Sequence, residues 1–219
     1  MDPAQGVPLP HGKQVVLSKA LSRLLRHKAA QKGLAVDSAG YVPLQQVLQT
    51  REVARLGATE ETIQTVVDSC PKQRFRLVSA GGKKLIRCNQ GHSGRTAAAI
   101  ENSNLLMRIG SSDARDKYSK VMHGTYKRHL ESILHSGLSR GNRRHIHLTP
   151  FQPHENPVMS GFRSSCEILI YIDMAQAILD GIPFWLSSNQ VILTEGDASG
   201  YIPAHYFLEV VHRTSTSGK

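Results

Sequence analysis

Leu17, Leu21, Leu24 and Leu25 recur at the three- and four-residue spacing of one helix face. The stretch QVVLSKALSRLLRHKAA, residues 14–30, therefore reads as an amphipathic helix with its basic residues on the remaining surface. DSAGY breaks it. Val42, Leu44, Val47 and Leu48 support a second short helix, and Thr59 caps a third that carries Ile63, Val66 and Val67 before Cys70-Pro71 stops it. RFRLV and KKLIR then flank SAGG, which is the pattern of two strands joined by a glycine turn. Helices closing on a two-stranded ribbon suggest a winged-helix arrangement, a shape used on nucleic acid.

Residues 93–120 lack sustained periodicity and are rich in small and polar side chains, so they read as a connection between lobes, with LLMRI laid onto one of them. Beyond them the pattern alternates. VMHGT is a strand end and turn; Leu130, Ile133 and Leu134 build a helix closed by Gly137; HIHL is a short strand. EILIYID is an apolar strand, MAQAILDG a helix ended by its glycine, and VILTEG and YFLEVV supply two more strands. The pattern is α+β throughout, with no repeat, P-loop or GxGxxG. It divides the chain into a polar tail (1–16), a helical and hairpin lobe (17–92), the connection (93–120), a strand-rich lobe (121–212) and a second tail (213–219).

Charge sharpens this picture. Across 219 residues, 27 Lys and Arg against 17 Asp and Glu give a formal charge of +10, the footprint of a protein that meets nucleic acid or another polyanion. Cys70, Cys88 and Cys166 are odd in number and unpaired in spacing, which suggests neither a disulfide framework nor a CxxC zinc site and makes a reducing compartment the default. No apolar run approaches the length of a membrane span, and MDPAQGVPLPHGKQ lacks both the apolar core of a secretory signal and the arginines of a transit peptide. A monomer that works inside the cell without a membrane partner, in cytoplasm or nucleus, is the expectation.

Several polar groups stand where an ordinary surface does not require them. Arg87 ends the apolar strand of KKLIR, so a rigid element holds its guanidinium, a group that matches phosphate oxygens bidentately; IRCNQGHS then presents Gln90, His92 and Ser93 beside it. Arg26 and His27 are adjacent on the first helix, and Arg163 precedes the EILIYID strand. Each is equally readable as a solvated helix face or a strand-end ion pair. His145 and His147 lie on one face of HIHL, opposite Ile146 and Leu148. A zinc reading of this HxH lacks a third ligand. His123-Gly124-Thr125 and His147-Leu148-Thr149 are both HxT, the pattern of two-histidine phosphoesterases that open cyclic phosphates with one histidine as base and one as acid; only one short helix separates them.

Taken in order, LSKALSRLLRHKA, RFRL, IRCNQGHS, HGT, GLSRGNRRHIHLT and FWLSSNQVILTEG resemble the signature blocks of the NAD-dependent RNA 2′-phosphotransferase family, from about Leu17 to Val210. The resemblance implies a winged-helix lobe that takes RNA, tRNA in particular, at 17–92, and an ADP-ribosyltransferase-like mixed β lobe that takes NAD as co-substrate at 121–212. It implies no metal. In such enzymes an internal RNA 2′-phosphate, as left at tRNA splice junctions, attacks the nicotinamide-bearing ribose carbon of NAD. The resulting RNA-phospho-ADP-ribose then resolves into 2′-OH RNA and ADP-ribose 1″,2″-cyclic phosphate. The same resemblance places the catalytic set on Arg26, His27, Arg87 and Arg163, with Gln90 and His92 lining the RNA-phosphate cleft. It places the NAD contacts on His123, Gly124, Thr125, His147, Ser187 and Asn189. Three positions depart from the family: Gln190 where glycine is usual, Trp185 for tyrosine or phenylalanine, and Cys88 for alanine. Glutamine at 190 costs energy if the backbone there needs φ > 0. The competing readings are a metal-free two-histidine cyclic phosphoesterase and a non-catalytic winged-helix RNA-binding protein.

Overall fold

The first helix starts earlier than its apolar spacing suggests and changes type before it ends. In the computed structural model, which describes residues 10–150, 163 and 165–213, α1 spans His11–Arg23, opens into one π-helical turn at Leu24–Lys28, and closes through a 3-10 turn at Ala30–Lys32 onto the left-handed Gly33. Residues 11–13, ahead of the stretch read as a helix, are thus helical, as are 14–16, which the division into lobes assigns to the tail. Of the two tails, residues 1–9 and 214–219 lie outside the described residues. The chain divides into two compact units between Leu105 and Leu106, inside the stretch read as a connection.

In the first unit, β1 (Val42–Pro43) leads into α2 (Leu44–Gln49), then α3 (Arg51–Ala54) and α4 (Glu60–Asp68). Val42 therefore begins a strand rather than the second helix, and it pairs with Ile86. Thr59 does cap α4: its hydroxyl accepts from Thr62 N while the Thr62 hydroxyl accepts from Thr59 N, satisfying donors that the first turn leaves open. β2 (Phe75–Ala80) and β3 (Lys83–Cys88) pair antiparallel across Gly81 and Gly82, both at positive φ, as a tight two-residue hairpin requires. The sheet order is β1-β3-β2. Leu17, Leu21, Leu24 and Leu25 pack with Val47, Ile63 and Ile86 in one core, each leucine contributing roughly 1.5–3 kcal/mol by leaving water. α5 (Gly94–Ala98) and α6 (Asn102–Leu105) complete the unit. They are too short to show a period in sequence.

The second unit opens with β4 (Met107–Arg108), α7 (Ser111–Asp116) and β5 (Val121–Thr125), then α8 (Lys127–Ser136), β6 (Leu138–Ser139) and β7 (Ile146–Leu148). β8 (Ile168–Ile172), α9 (Met174–Leu179), β9 (Phe184–Leu186), β10 (Ile192–Thr194), β11 (Tyr201–Ile202) and β12 (Phe207–His212) follow. Its strands form sheets of order β4-β9-β10-β7, β12-β8-β5 and β11-β6. Every pairing among the described residues is antiparallel, so the mixed lobe expected from sequence is a set of small antiparallel sheets. Ile146, Leu148, Ile168, Ile170, Phe184 and Ile192 fill the core between them. The fold is α+β in both units, and no helix among the described residues is long and apolar enough to cross a membrane.

Candidate functional site

Arg87 projects from the face of β3 opposite the core residues Ile86 and Cys88, yet only 5% of its surface is exposed. One Nη donates to Ala39 O at 2.9 Å, the guanidinium lies 4.6 Å from the Tyr41 ring centroid, and Nε is buried without a hydrogen-bond partner. No ion pair of Arg87 occurs among the described residues. Burial, helped by Arg76, pushes its pKa below the usual guanidinium value, while Tyr41 and Asp37 oppose the shift. Arginine remains charged through such a shift, so the site holds a desolvated cation with donors to spare, which favours an anion.

The π turn brings a second cation to the same loop. Its i→i+5 bonding spreads more residues over a turn than an α-helix does, which narrows the angle between Arg26 and His27 below the α-helical value. Such turns recur at functional sites because they re-aim side chains. Arg26 packs on Gly91, where a Cβ would come within 3.3 Å of the guanidinium carbon and push it by a few tenths of an ångström, and Gly91 also sits at φ +87, where a side chain is strained. Beneath it, burial raises the Cys88 thiol to about 11 against the opposing effect of Arg26, which leaves a neutral partner under the guanidinium at pH 7.

The loop after Cys88 fastens the cluster. Ser93 N donates to Arg26 O at 3.0 Å and Ser93 Oγ meets His27 Nδ1 at 2.8 Å. His92 is buried, and its Nε2 lies 3.7 Å from where a Cβ on Gly40 would stand; Gly40 is next to the Ala39 carbonyl that holds Arg87. Asp37 Oδ1 fixes that turn by accepting from Ala39 N and Tyr41 N at 2.9 and 2.7 Å. Arg26, His27, Arg87, Gln90 and His92 thus gather around residues 37–41 and 88–93 of one unit. Sequence reasoning missed Tyr41 and Asp37; DSAGY carried only the signal of a helix break.

The second unit assembles the other group. His123 on β5 meets the His147 carbonyl on β7, with Nδ1 at 2.9 Å from the oxygen, which fixes Nδ1 as the protonated nitrogen. Burial lowers the His123 pKa, so the imidazole is neutral near pH 7 with Nε2 as an acceptor. Met122 and Thr149 exchange backbone hydrogen bonds at 3.0 Å, and Leu148 pairs with Ile192, which pairs with Leu186. This register sets the β9–β10 turn at the Leu148 end of β7, where Thr149 bridges to Met122. Gly124 and Thr125 continue β5.

Ser187 and Asn189 belong to that turn. Ser187 N donates to Val191 O and Gln190 N to Ser187 O, while Ser187 Oγ accepts from Val191 N at 2.9 Å and lies 2.8 Å from Asn189 Oδ1. A three-residue hairpin loop of this kind needs its last residue left-handed, and Gln190 has φ +61. The departure visible in the sequence therefore carries real backbone strain. Gln190→Gly is expected to raise the unfolding free energy by up to about 1 kcal/mol, read as a higher melting temperature.

His145, expected on the polar face of its strand, is buried at 5% exposure, and its Nε2 has no partner. Burial, with Arg144 and Arg140 adding to it, drives its pKa down to about 3. A histidine depressed in the folded state binds fewer protons than the unfolded chain below pH 6.5, so stability falls as pH drops through that value. The expected loss is about 2 kcal/mol between pH 6.5 and 5, measured by chemical denaturation, and His145→Asn should flatten it.

Arg163 also lies in the second unit, exposed, with its side chain bonded to Tyr126, whose hydroxyl pairs with Ser165 at 2.9 Å. Ser165 first, and Arg163 second, hold that phenol below its usual pKa. Among the described residues no group of three or more His, Cys, Asp or Glu is placed to hold a metal ion.

Comparison with known proteins covers most of the chain. A family model described as RNA 2′-phosphotransferase, Tpt1 / KptA family, matches residues 12–196. The chain is 41% identical over 197 residues to tRNA 2′-phosphotransferase 1 of Danio rerio, covering 89% of this chain and 84% of that protein. It is 41% identical over 211 residues to tRNA 2′-phosphotransferase 1 of Homo sapiens, covering 95% and 80%. With tRNA 2′-phosphotransferase of Saccharomyces cerevisiae it shares 33% over 202 residues, covering 91% and 84%.

Proposed function

Because the chain belongs to the RNA 2′-phosphotransferase family, we propose that it removes the internal 2′-phosphate of spliced tRNA, or of a similar RNA, by transferring it to NAD. The products are then 2′-OH RNA, ADP-ribose 1″,2″-cyclic phosphate and nicotinamide, through an RNA-phospho-ADP-ribose intermediate. In this reading the first unit is the winged-helix RNA lobe and the second the ADP-ribosyltransferase-like lobe. The observation that carries it is the desolvated Arg87, charged and without an ion pair among the described residues, at the loop that also holds Arg26, His27 and His92. That is a fixed set of donors for a dianionic phosphate.

Each side chain has a task that its surroundings suit. Arg87 and Arg26 bind phosphate oxygens, and His27, held by Ser93, adds a directed nitrogen. Since these cations are preorganised and partly dry, their effect is greatest where negative charge builds on the phosphodiester in the second step. NAD, when bound, supplies the electrophilic ribose carbon and the nicotinamide leaving group. The second unit fits such a ligand: a neutral imidazole at His123, hydroxyls at Thr125 and Ser187, and the amide of Asn189 line adjoining strands and the β9–β10 turn. Arg163, exposed, bridges toward the ADP-ribose phosphates. Family membership weighs against the two-histidine phosphoesterase and the non-catalytic binder.

Nicotinamide release tests the reading directly. Chromatography should show nicotinamide appearing from NAD only when RNA carrying a 2′-phosphate is present. Loss of the RNA phosphate without NAD would instead support the phosphoesterase.

A further inference from the structure

Arg26 belongs to two features of the first unit. Besides its place under the 88–93 loop, it closes one end of a groove of about 430 Å³ that runs along α1. His11, Ser18, Ser22 and Arg26 recur at seven- and four-residue intervals and so line it from one helix face, with Val15 and Lys19 beside them. The opposite wall is the end of α4 and the turn after it, where Ser69, Pro71 and Arg74 stand. Four basic side chains (His11, Lys19, Arg26 and Arg74) face this space, and among the described residues no carboxylate lines it.

A basic helix face is ordinarily just solvated. Three observations set this one apart. It is concave, with a volume in the range of ligand sites. Its basic side chains alternate with hydroxyls of Ser18, Ser22 and Ser69, the mixture that contacts phosphate and sugar oxygens. Its far wall is fastened to the loop that carries the phosphate cluster: Asn89 donates from Nδ2 to Gln73 O at 2.6 Å and from its backbone to Arg74 O at 2.9 Å, while Arg74 also reaches Cys70 Sγ at 3.4 Å.

We propose that this groove holds the ribose-phosphate backbone of the RNA strand adjoining the 2′-phosphorylated nucleotide. Arg26 is the shared point, gripping the strand where it enters the phosphate cluster. From His11 to Arg26 the face runs about 22 Å at 1.5 Å per residue, which accommodates several nucleotides of an extended strand. Lys19 and Arg74 bind phosphates from opposite walls, and the exposed Val15 offers an apolar surface to a ribose or base. The inference rests on the first unit being the RNA lobe.

The test compares a dinucleotide bearing one 2′-phosphate with a single-stranded RNA that extends several nucleotides to either side, by fluorescence anisotropy without NAD. Wild-type protein should bind the longer RNA at least about tenfold tighter, and Lys19→Ala with Arg74→Ala should remove about tenfold of that preference. The salt dependence of longer-RNA binding should fall by about 1.4 in log–log slope, about 0.7 for each phosphate no longer neutralised. Dinucleotide affinity should hold. Lys19→Glu, at an exposed helix position, repeats the measurement where loss of Arg74 unsettles the turn. Equal affinity of wild type and variants for the longer RNA overturns the groove, as does an equal loss on both RNAs. Since binding is read without NAD, an absence of phosphate transfer would defeat the function proposed above and leave this result standing.

Discussion

Arg87→Ala is expected to lower RNA 2′-phosphate transfer by on the order of a thousandfold while NAD binding persists. The guanidinium is buried, held at Ala39 O and by the Tyr41 ring, and pairs with no carboxylate among the described residues, so its position is set before any ligand arrives. A charge fixed in a dry setting loses little reorganisation energy as a transition state forms, which is the condition under which one donor matters most. Arg87→Lys should recover little of the loss, because an ammonium on a flexible stem offers neither the fork nor the stacking on Tyr41. Folding should be far less affected than catalysis. Removal of the side chain strands the Ala39 carbonyl, but it also removes an uncompensated buried charge, and these effects oppose one another. A melting shift of only a few degrees beside the activity loss is the expected pair of readings. Collapse of the fold with activity lost only in proportion would make Arg87 structural.

Arg163→Ala tests the other unit. This arginine is exposed, and its side chain is bonded to the Tyr126 hydroxyl rather than packed in the core, so its removal should leave the melting temperature within experimental scatter. Under the proposed transfer, turnover should nonetheless fall about a hundredfold, mainly in kcat, because a cation directed at the ADP-ribose phosphates would stabilise the transition state more than the bound ground state. Tyr126→Phe separates the residue from its support. It removes the hydroxyl that Ser165 and Arg163 share and should cost far less than loss of the guanidinium itself. An unchanged kcat in Arg163→Ala would take this residue out of the catalytic set.

The two units differ in how much of them a reader of the sequence sees. The β2–β3 hairpin was legible because two adjacent glycines between apolar strands admit few backbone geometries, and both glycines do take positive φ. The cap at Thr59 was legible for a similar reason, since a hydroxyl ahead of an apolar-periodic run has one useful role. Arg87 stood out because it interrupts an apolar strand. The π turn left no trace, as Leu24 and Leu25 satisfy α-helical and π-helical spacing alike. β4, β6, β9 and β11, each of two or three residues, are fixed by their partners rather than by their own pattern. Tyr41 and Asp37 are joined to Arg87 only by tertiary folding, across nearly fifty residues of chain. His145 misled because alternation along HIHL says which residues share a face and not whether that face is covered. At Gln190 the sequence supplied the question, and the φ of +61 answers that the left-handed turn is kept and the strain accepted.

The assignment turns on one transfer. A short RNA carrying a single radiolabelled internal 2′-phosphate is incubated with the protein, with and without NAD, and the products are separated by chromatography. Label that moves into ADP-ribose cyclic phosphate only when NAD is present is the predicted outcome. Label that stays on the RNA at every NAD concentration, or leaves as free phosphate without NAD, would contradict it.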